Sequence, residues 1–240
     1  MPTGLQILDT KDAPIPVSDA VREAAQQQGI GALIESFVLV TKVRSLTQNK
    51  DAEKVSVHAF EHGLVREAHA SQPEVFRWDG IETVNQSVTH QYRNSAYYES
   101  MFYYKLRRRD GLELEIRGEY KDPKHTRFRD SALKSKRTHC AELGEVMSRR
   151  IASEQLADAK AALARGERLT FADVVISTEG VHSRKHGTVP WGQIRDVKVS
   201  NGVVQFQKEG KFLSLSSTPV GKIPNVILLL DLTDALREAS

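Results

Sequence analysis

Two stretches of the chain carry the same order of apolar and polar positions. Residues 60–84 read FEHGLVREAHASQPEVFRWDGIETV, and residues 177–197 read STEGVHSRKHGTVPWGQIRDV. In each, an apolar strand runs into a glycine followed by a branched apolar residue, Gly63-Leu64 and Gly180-Val181. A basic stretch then leads to a tryptophan, and an Ile and a Val follow at the same spacing: Trp78, Ile81, Val84 and Trp191, Ile194, Val197. This self-similarity predicts one small structural unit used twice, the first copy being the larger.

Local patterning predicts the elements. Residues 1–17 hold three prolines and no sustained period, so they read as an arm ordered only where it docks. Ser18 and Asp19 are N-cap residues for a helix over about 19–28, ended by Gly29 and Gly31. Alternation predicts a strand from Phe37 to Leu46 with Phe37, Leu39 and Thr41 on one face. Val55, Val57 and Ala59 mark the next strand, and Leu64 begins another. After Trp78 a strand punctuated by Ile81, Val84, Val88 and Tyr92 ends at the turn signal Asn94-Ser95. A three-residue loop at Arg109-Asp110-Gly111 sets Leu106 against Leu114 and Tyr104 against Ile116. The same register sets Arg107 against Glu113 and Lys105 against Glu115, so apolar pairs share one face and opposite charges the other. From Glu142 to Arg165 the spacing is helical, with Leu143, Val146, Met147 and Ile151 on one stripe, then Leu156, Ala159 and Leu163, and Gly166 as the stop. In the second copy, Asn201-Gly202 predicts a hairpin with Val197 opposite Phe206 and Val199 opposite Val204. A turn at Glu209-Gly210 sets Leu213 against Phe206 and Leu215 against Val204. A helix in NVILLLDLTDALREAS closes the chain after Pro224.

The expected fold is α+β and mainly antiparallel β: two tandem small sheets or barrels, each closed by a C-terminal helix, with a short N-terminal helix. The expected division is an N-terminal arm and helix over 1–35, a first domain over 36–166 and a second over 167–240. This order of strands, with a Gly-Leu/Val step, a basic strand and Trp-x-x-Ile-x-x-Val, resembles the bacterial pleckstrin-homology-like (PH-like) family. Residues 169–240 match nearly whole and residues 37–165 more loosely. The chain is also similar to actinobacterial proteins of unknown function that carry "FexGLVrexxgxxxxFRWdxI", then "PWxxI" and "PN", the last being Pro224-Asn225 here. The resemblance implies the PH-like scaffold, which hosts peptide binders, lipid binders and structural modules alike. It does not imply phosphoinositide binding. In TKVRSLTQNKDAEK, the residues Lys42, Arg44, Lys50 and Lys54 lack the headgroup spacing, and LTFADVV in the second copy has no base.

Composition narrows the classes further. The chain has 240 residues, 40% hydrophobic and 27% charged, with a formal net charge of +3, too small by itself to imply a nucleic-acid partner. No apolar run approaches the roughly 20 residues of a membrane span, and the N-terminus lacks a basic region followed by an apolar one, so a cytoplasmic protein is expected. The single cysteine, Cys140, reads as a small buried apolar side chain. His58 and His62 sit four apart on a strand rather than a helix and read as ordinary surface or edge histidines, not metal ligands. His182 and His186, flanking Arg184 and Lys185, read as an exposed basic edge. No nucleophile elbow or phosphate-cradling loop is present. No catalytic residue, cofactor or metal is expected, and a small-molecule substrate is not expected.

Two surfaces remain as candidates. Tyr92, Tyr97, Tyr98, Tyr103 and Tyr104 cluster around Phe102 and KLRRRD, a composition typical of interface hot spots. Between Lys121 and Arg137 the bases Lys121, Lys124, Arg127, Arg129, Lys134, Lys136 and Arg137 outnumber Asp122 and Asp130, with an excess of five positive charges. Candidate partner- or anion-binding residues are these seven with Tyr103 and Arg107. The expected function is a non-enzymatic binding or adaptor module for a protein or peptide. The alternatives are peripheral binding to anionic membrane lipid through 121–137, and nucleic-acid binding through the basic and tyrosine-rich surface.

Overall fold

The computed structural model describes residues 5–7, 15–41, 54–68, 71–121, 136–183, 187–200, 202–208, 211–213 and 218–240. The architecture is α+β with mainly antiparallel sheets. The chain divides into two compact units, one of residues 1–82 and 88–147, the other of residues 83–87 and 148–240. The long helix is therefore split, its second half belonging to the second unit. No helix among the described residues is long and apolar enough to cross a membrane.

In the first unit the elements are β1 (Leu5–Ile7), α1 (Asp19–Gln27), β2 (Leu33–Thr41), β3 (Lys54–Phe60), β4 (Gly63–Ala68), β5 (Glu74–Arg77), β6 (Ile81–Arg93), β7 (Ala96–Arg108), β8 (Glu113–Tyr120) and the start of α2 (Lys136–Ala164). The strands form one sheet in the order β5-β4-β3-β2-β1-β8-β7-β6. Of the small sheets or barrels expected, the described strands form an open sheet, with β5 and β6 at its ends. The N-terminal arm is also more than a loose tail. Its β1 lies between β2 and β8, antiparallel to the first and parallel to the second. The β7–β8 register is the expected one, pairing Leu106 with Leu114, Tyr104 with Ile116, Lys105 with Glu115 and Arg107 with Glu113. Asn94 and Ser95 both have positive φ, 50° and 62°, as a two-residue hairpin turn with the native twist requires.

Both faces of β2–β4 are covered, which accounts for the near-continuous burial of β3 from Val57 to Phe60. One face carries Phe37, Leu39, Val57 and Leu64, which together with Tyr104 and Ile116 meet Cys140, Leu143, Gly144 and Met147 of α2 around a cavity of only about 20 Å³. The Tyr104 hydroxyl donates to the Ala141 carbonyl at 2.8 Å. A Cβ on Gly144 would lie 2.1 Å from the Tyr104 ring, so this glycine is what lets the helix approach. The stripe that α2 buries keeps Met147 and Ile151 as expected and adds the small residues Cys140, Ala141, Gly144 and Ser148. Val146, expected on that stripe, is 48% exposed. On the other face, α1 buries Val21 and Ala25 with Ile30, Phe60 and Val65. Its N-cap is Ser18, whose side chain accepts from the Val21 N–H.

In the second unit a four-stranded sheet, β12-β11-β10-β9, contains β9 (Leu169–Phe171), β10 (Val174–Ile176), β11 (Gly180–Ser183) and β12 (Gly187–Pro190). A three-stranded sheet follows, made of β13 (Ile194–Ser200), β14 (Val203–Lys208) and β15 (Lys211–Leu213), and α3 (Val226–Glu238) ends the chain. Val197 pairs with Phe206, Val199 with Val204 and Phe206 with Leu213, as the turn signals predict. Leu215 lies outside the described residues. The core joins Trp191, Ile194 and Phe206 to Leu229 and Leu232 of α3 and to Ala152, Ala159 and Leu163 of α2. The second half of α2 thus fills this core, where the spacing alone pointed to a helix closing the first copy. Asn225, in the left-handed region at φ 52°, heads α3. Its Oδ1 accepts from the Val84 N–H and its N–H donates to the Val84 carbonyl, both at 2.8 Å, so one residue satisfies both main-chain groups of Val84.

From β2 and from β9 onward the described residues follow one order, four strands, a one-turn 3₁₀ segment starting at Trp, three strands and a helix, the second with a further 3₁₀ turn (Val220–Lys222) before its helix. Gly63 pairs with Arg77 and Gly180 with Pro190, in each case the residue before the tryptophan. A Cβ on either glycine would fall within 2.7 Å or 2.2 Å of the carbonyl oxygen of Phe76 or Val189. Each indole N–H donates to the carbonyl of the residue just after the strand two before its own, Trp78 to Glu61 after β3 at 3.1 Å and Trp191 to Ser177 after β10 at 2.8 Å. Both rings are buried, at 4% and 2% exposure.

Candidate functional site

The long β6–β7 hairpin ends in YRNSAYY, which sets Tyr92 and Arg93 before the two-residue turn and Tyr97 and Tyr98 after it. The Arg93 guanidinium lies 4.0 Å from the centre of the Tyr98 ring, and the Lys121 ammonium lies 4.5 Å from the same centre. Lys121 also donates to the Tyr98 carbonyl and sits 6.0 Å from the Tyr97 ring. Tyr97 is braced from behind: its hydroxyl bonds the Ser100 hydroxyl at 2.8 Å, which in turn meets His90 Nδ1 at 2.7 Å, and Tyr92 packs edge-on against its ring. Tyr92 is 54% exposed, Met101 41% and Tyr98 36%. Each cation over an exposed ring contributes on the order of 0.5–1 kcal/mol, enough to hold Tyr98 in one orientation while it remains open to solvent.

The charges of the β7–β8 surface behave differently. Lys105 pairs with Glu113 at 2.8 Å, Arg107 reaches across to Glu82 at 3.0 Å, and Arg117 pairs with Glu115. Tyr103 lies half-buried with the Arg117 guanidinium 5.2 Å from its ring centre, and burial pushes its phenol pKa up. Of the nine candidate residues, then, Tyr103 and Arg107 belong to a self-neutralised surface, and Lys121 joins the tyrosine tip. No carboxylate pairs with Arg93 or Lys121 among the described residues. Lys124, Arg127, Arg129 and Lys134 lie outside the described residues. Lys136 and Arg137 open α2, with their side chains likewise outside the description. Arg93 escaped the sequence reading, although its position next to a turn flanked by tyrosines on both sides was a usable signal.

A larger cleft of about 830 Å³ opens between Gln28, the segment from Ser71 to Val75, Arg77 and the loop from Arg108 to Leu112. Of its three lining arginines, Arg77 and Arg108 are already committed. Arg77 grips Asp79 and the Gln28 carbonyl; Arg108 grips Asp110 and donates to the Val75 carbonyl at 2.7 Å. The Arg77 hydrogen bond holds the Asp79 carboxyl below its ordinary pKa, and Arg108 does the same for Asp110. These pairs tie loops together, and Arg109 is the remaining lining arginine.

His62 is exposed as expected, whereas His58 and His182 are placed otherwise. His58 is fully buried, with Nδ1 2.8 Å from the Ser36 hydroxyl, because α1 covers the face that alternation assigned to solvent. His182 is half-buried between the hydroxyls of Ser177 and Thr188, at 2.8 and 2.7 Å, while residues 184–186 lie outside the described residues. Cys140 is buried and its thiol pKa is pushed up by desolvation. Among the described residues no group of three or more His, Cys, Asp or Glu side chains could hold a metal ion.

Residues 22–240 match a family described as a family of unknown function (DUF6585). The chain belongs to that family. No curated protein and no solved structure matches it.

Proposed function

We propose that this DUF6585 chain is a non-enzymatic binding module of two PH-like units whose β6–β7 tip docks an acidic segment of a protein partner. The observation that carries the reading is Tyr98, exposed, with two cations within 4.5 Å of its ring centre that no described carboxylate neutralises. Tyrosine, methionine and arginine are the side chains enriched where proteins meet, and here they stand pre-oriented on a hairpin. Lys121 also begins the basic tract of the sequence, whose excess of positive charge has the sign that an acidic partner requires. The PH-like reading draws its support from the repeated element order, the paired glycines and the matching tryptophan hydrogen bonds.

The test is titration of a labelled peptide rich in Glu and Tyr, followed by fluorescence anisotropy. Phosphatidylserine vesicles and a single-stranded oligonucleotide run in parallel. Peptide binding that weakens about tenfold or more in Y98A and in R93E/K121E, and falls with added salt, supports the proposal. Peptide binding unchanged by these substitutions, or binding confined to vesicles or to the oligonucleotide, overturns it.

A further inference from the structure

Apart from the hairpin tip, the first unit contains a polar chain that runs from half-buried Ser18 and Glu67 to buried His58 and Ser36. Ser36 of β2 and His58 of β3 are direct cross-strand partners, and Glu67 of β4 lies on the same face. The Ser36 hydroxyl is 2.8 Å from His58 Nδ1, His58 Nε2 is 3.5 Å from a Glu67 oxygen, and the other Glu67 oxygen accepts from the Ser18 hydroxyl at 2.5 Å. Ser18 is also the N-cap of α1. The end of α1 is thus wired to a histidine of zero exposure through one carboxylate.

We propose that Ser18, Glu67, His58 and Ser36 form a pH-sensitive latch that holds α1 on the face of β3 and β4. With neutral His58, Ser36 donates to Nδ1, while Nε2 lies 3.5 Å from Glu67 and makes no hydrogen bond. Protonation turns Nδ1 into a donor, reverses the Ser36 bond and places a cation in a dry site. Glu67 is the charged group that faces the ring. On α1, Asp19 and Arg22 pair with each other at the surface. On β4 and β5, Arg66 and Glu74 pair on the opposite face of the sheet. Burial lowers the His58 pKa, and the nearby Glu67 carboxylate opposes this only in part. A depressed histidine pKa means that the latch is fully closed above the ordinary value of 6.5 and weakens as pH falls through the lower folded value. Release would uncover the apolar group of Val21, Ala25, Ile30, Phe60 and Val65.

Hydrogen exchange on the full chain tests this, with amides of residues 19–27 compared with those of α3 at about pH 7.5 and about pH 5 after correction for intrinsic rates. The latch predicts that α1 loses protection at the lower pH while α3 keeps it, and that H58Q removes the difference. S18A, which leaves the sheet intact, should lower α1 protection already at the higher pH. Loss of protection in α1 and α3 together, a wild-type α1 indifferent to pH, or a pH effect that survives H58Q would overturn the proposal.

Discussion

Replacing each tryptophan by phenylalanine separates the two things an indole does here, filling space and donating one hydrogen bond. Phenylalanine leaves a gap of about 40 Å³, which at about 24 cal/mol per Å³ costs about 1 kcal/mol. The lost N–H orphans a carbonyl. For Trp191 the acceptor is Ser177, itself buried, and a buried acceptor left unpaired costs about 1–3 kcal/mol. W191F should therefore destabilise the second unit by about 2–4 kcal/mol. For Trp78 the acceptor is on exposed Glu61, where water can replace the indole, so W78F should cost about 1–2 kcal/mol. Urea titration followed by far-ultraviolet circular dichroism measures both, with the surviving tryptophan in each variant reporting the other unit by fluorescence. A W78F cost larger than that of W191F, or a W191F cost below about 0.5 kcal/mol, would refute the argument from carbonyl burial.

Other expected outcomes follow from close contacts and charge. G144A drives a methyl into the Tyr104 ring and should lower stability by about 1–3 kcal/mol, read as a drop in urea midpoint with an unchanged slope. N225A loses the acceptor for the Val84 N–H and puts alanine in the left-handed region, while N225G loses only the acceptor; N225A should therefore melt lower than N225G, the gap reflecting a backbone cost of about 1 kcal/mol. Asp79, whose carboxyl pKa is depressed by Arg77, stabilises the fold above its ordinary value of 3.8, and that contribution is lost as pH falls through the lower folded value. D79N should accordingly flatten the acid limb of the stability–pH curve while leaving its neutral limb lower than wild type.

The parts of the fold that could be read from the sequence are those fixed by short-range turns. Arg109-Asp110-Gly111 and Asn201-Gly202 set their registers locally, so the pairs of Tyr104 with Ile116 and Val197 with Phe206 were recoverable from alternation. Ser18 as the cap of α1 was legible for the same reason. Long-range decisions were not. That β1 would enter the sheet between β2 and β8 depends on partners more than thirty residues away. Val57 and Ala59 announced one buried face of β3, but His58 looked like a solvent residue because nothing near it in sequence says that α1 will cover it. On α2 hydrophobicity favoured Val146, whereas the close approach of Tyr104 selects Gly144. At the candidate site the tyrosines and Lys121 were each visible, but their meeting was not, since Lys121 lies twenty-three residues beyond Tyr98.

The central claim, that the β6–β7 tip is where a protein partner docks, is tested most directly by a photo-crosslinking side chain installed at Tyr92 in living cells. The same probe at Val199, 44% exposed on β13, serves as the control. A discrete protein adduct is expected at Tyr92 that is missing at Val199 and vanishes when Arg93 and Lys121 are changed to Glu. Adducts common to both positions, or an adduct at Tyr92 that withstands the charge reversal, would contradict it.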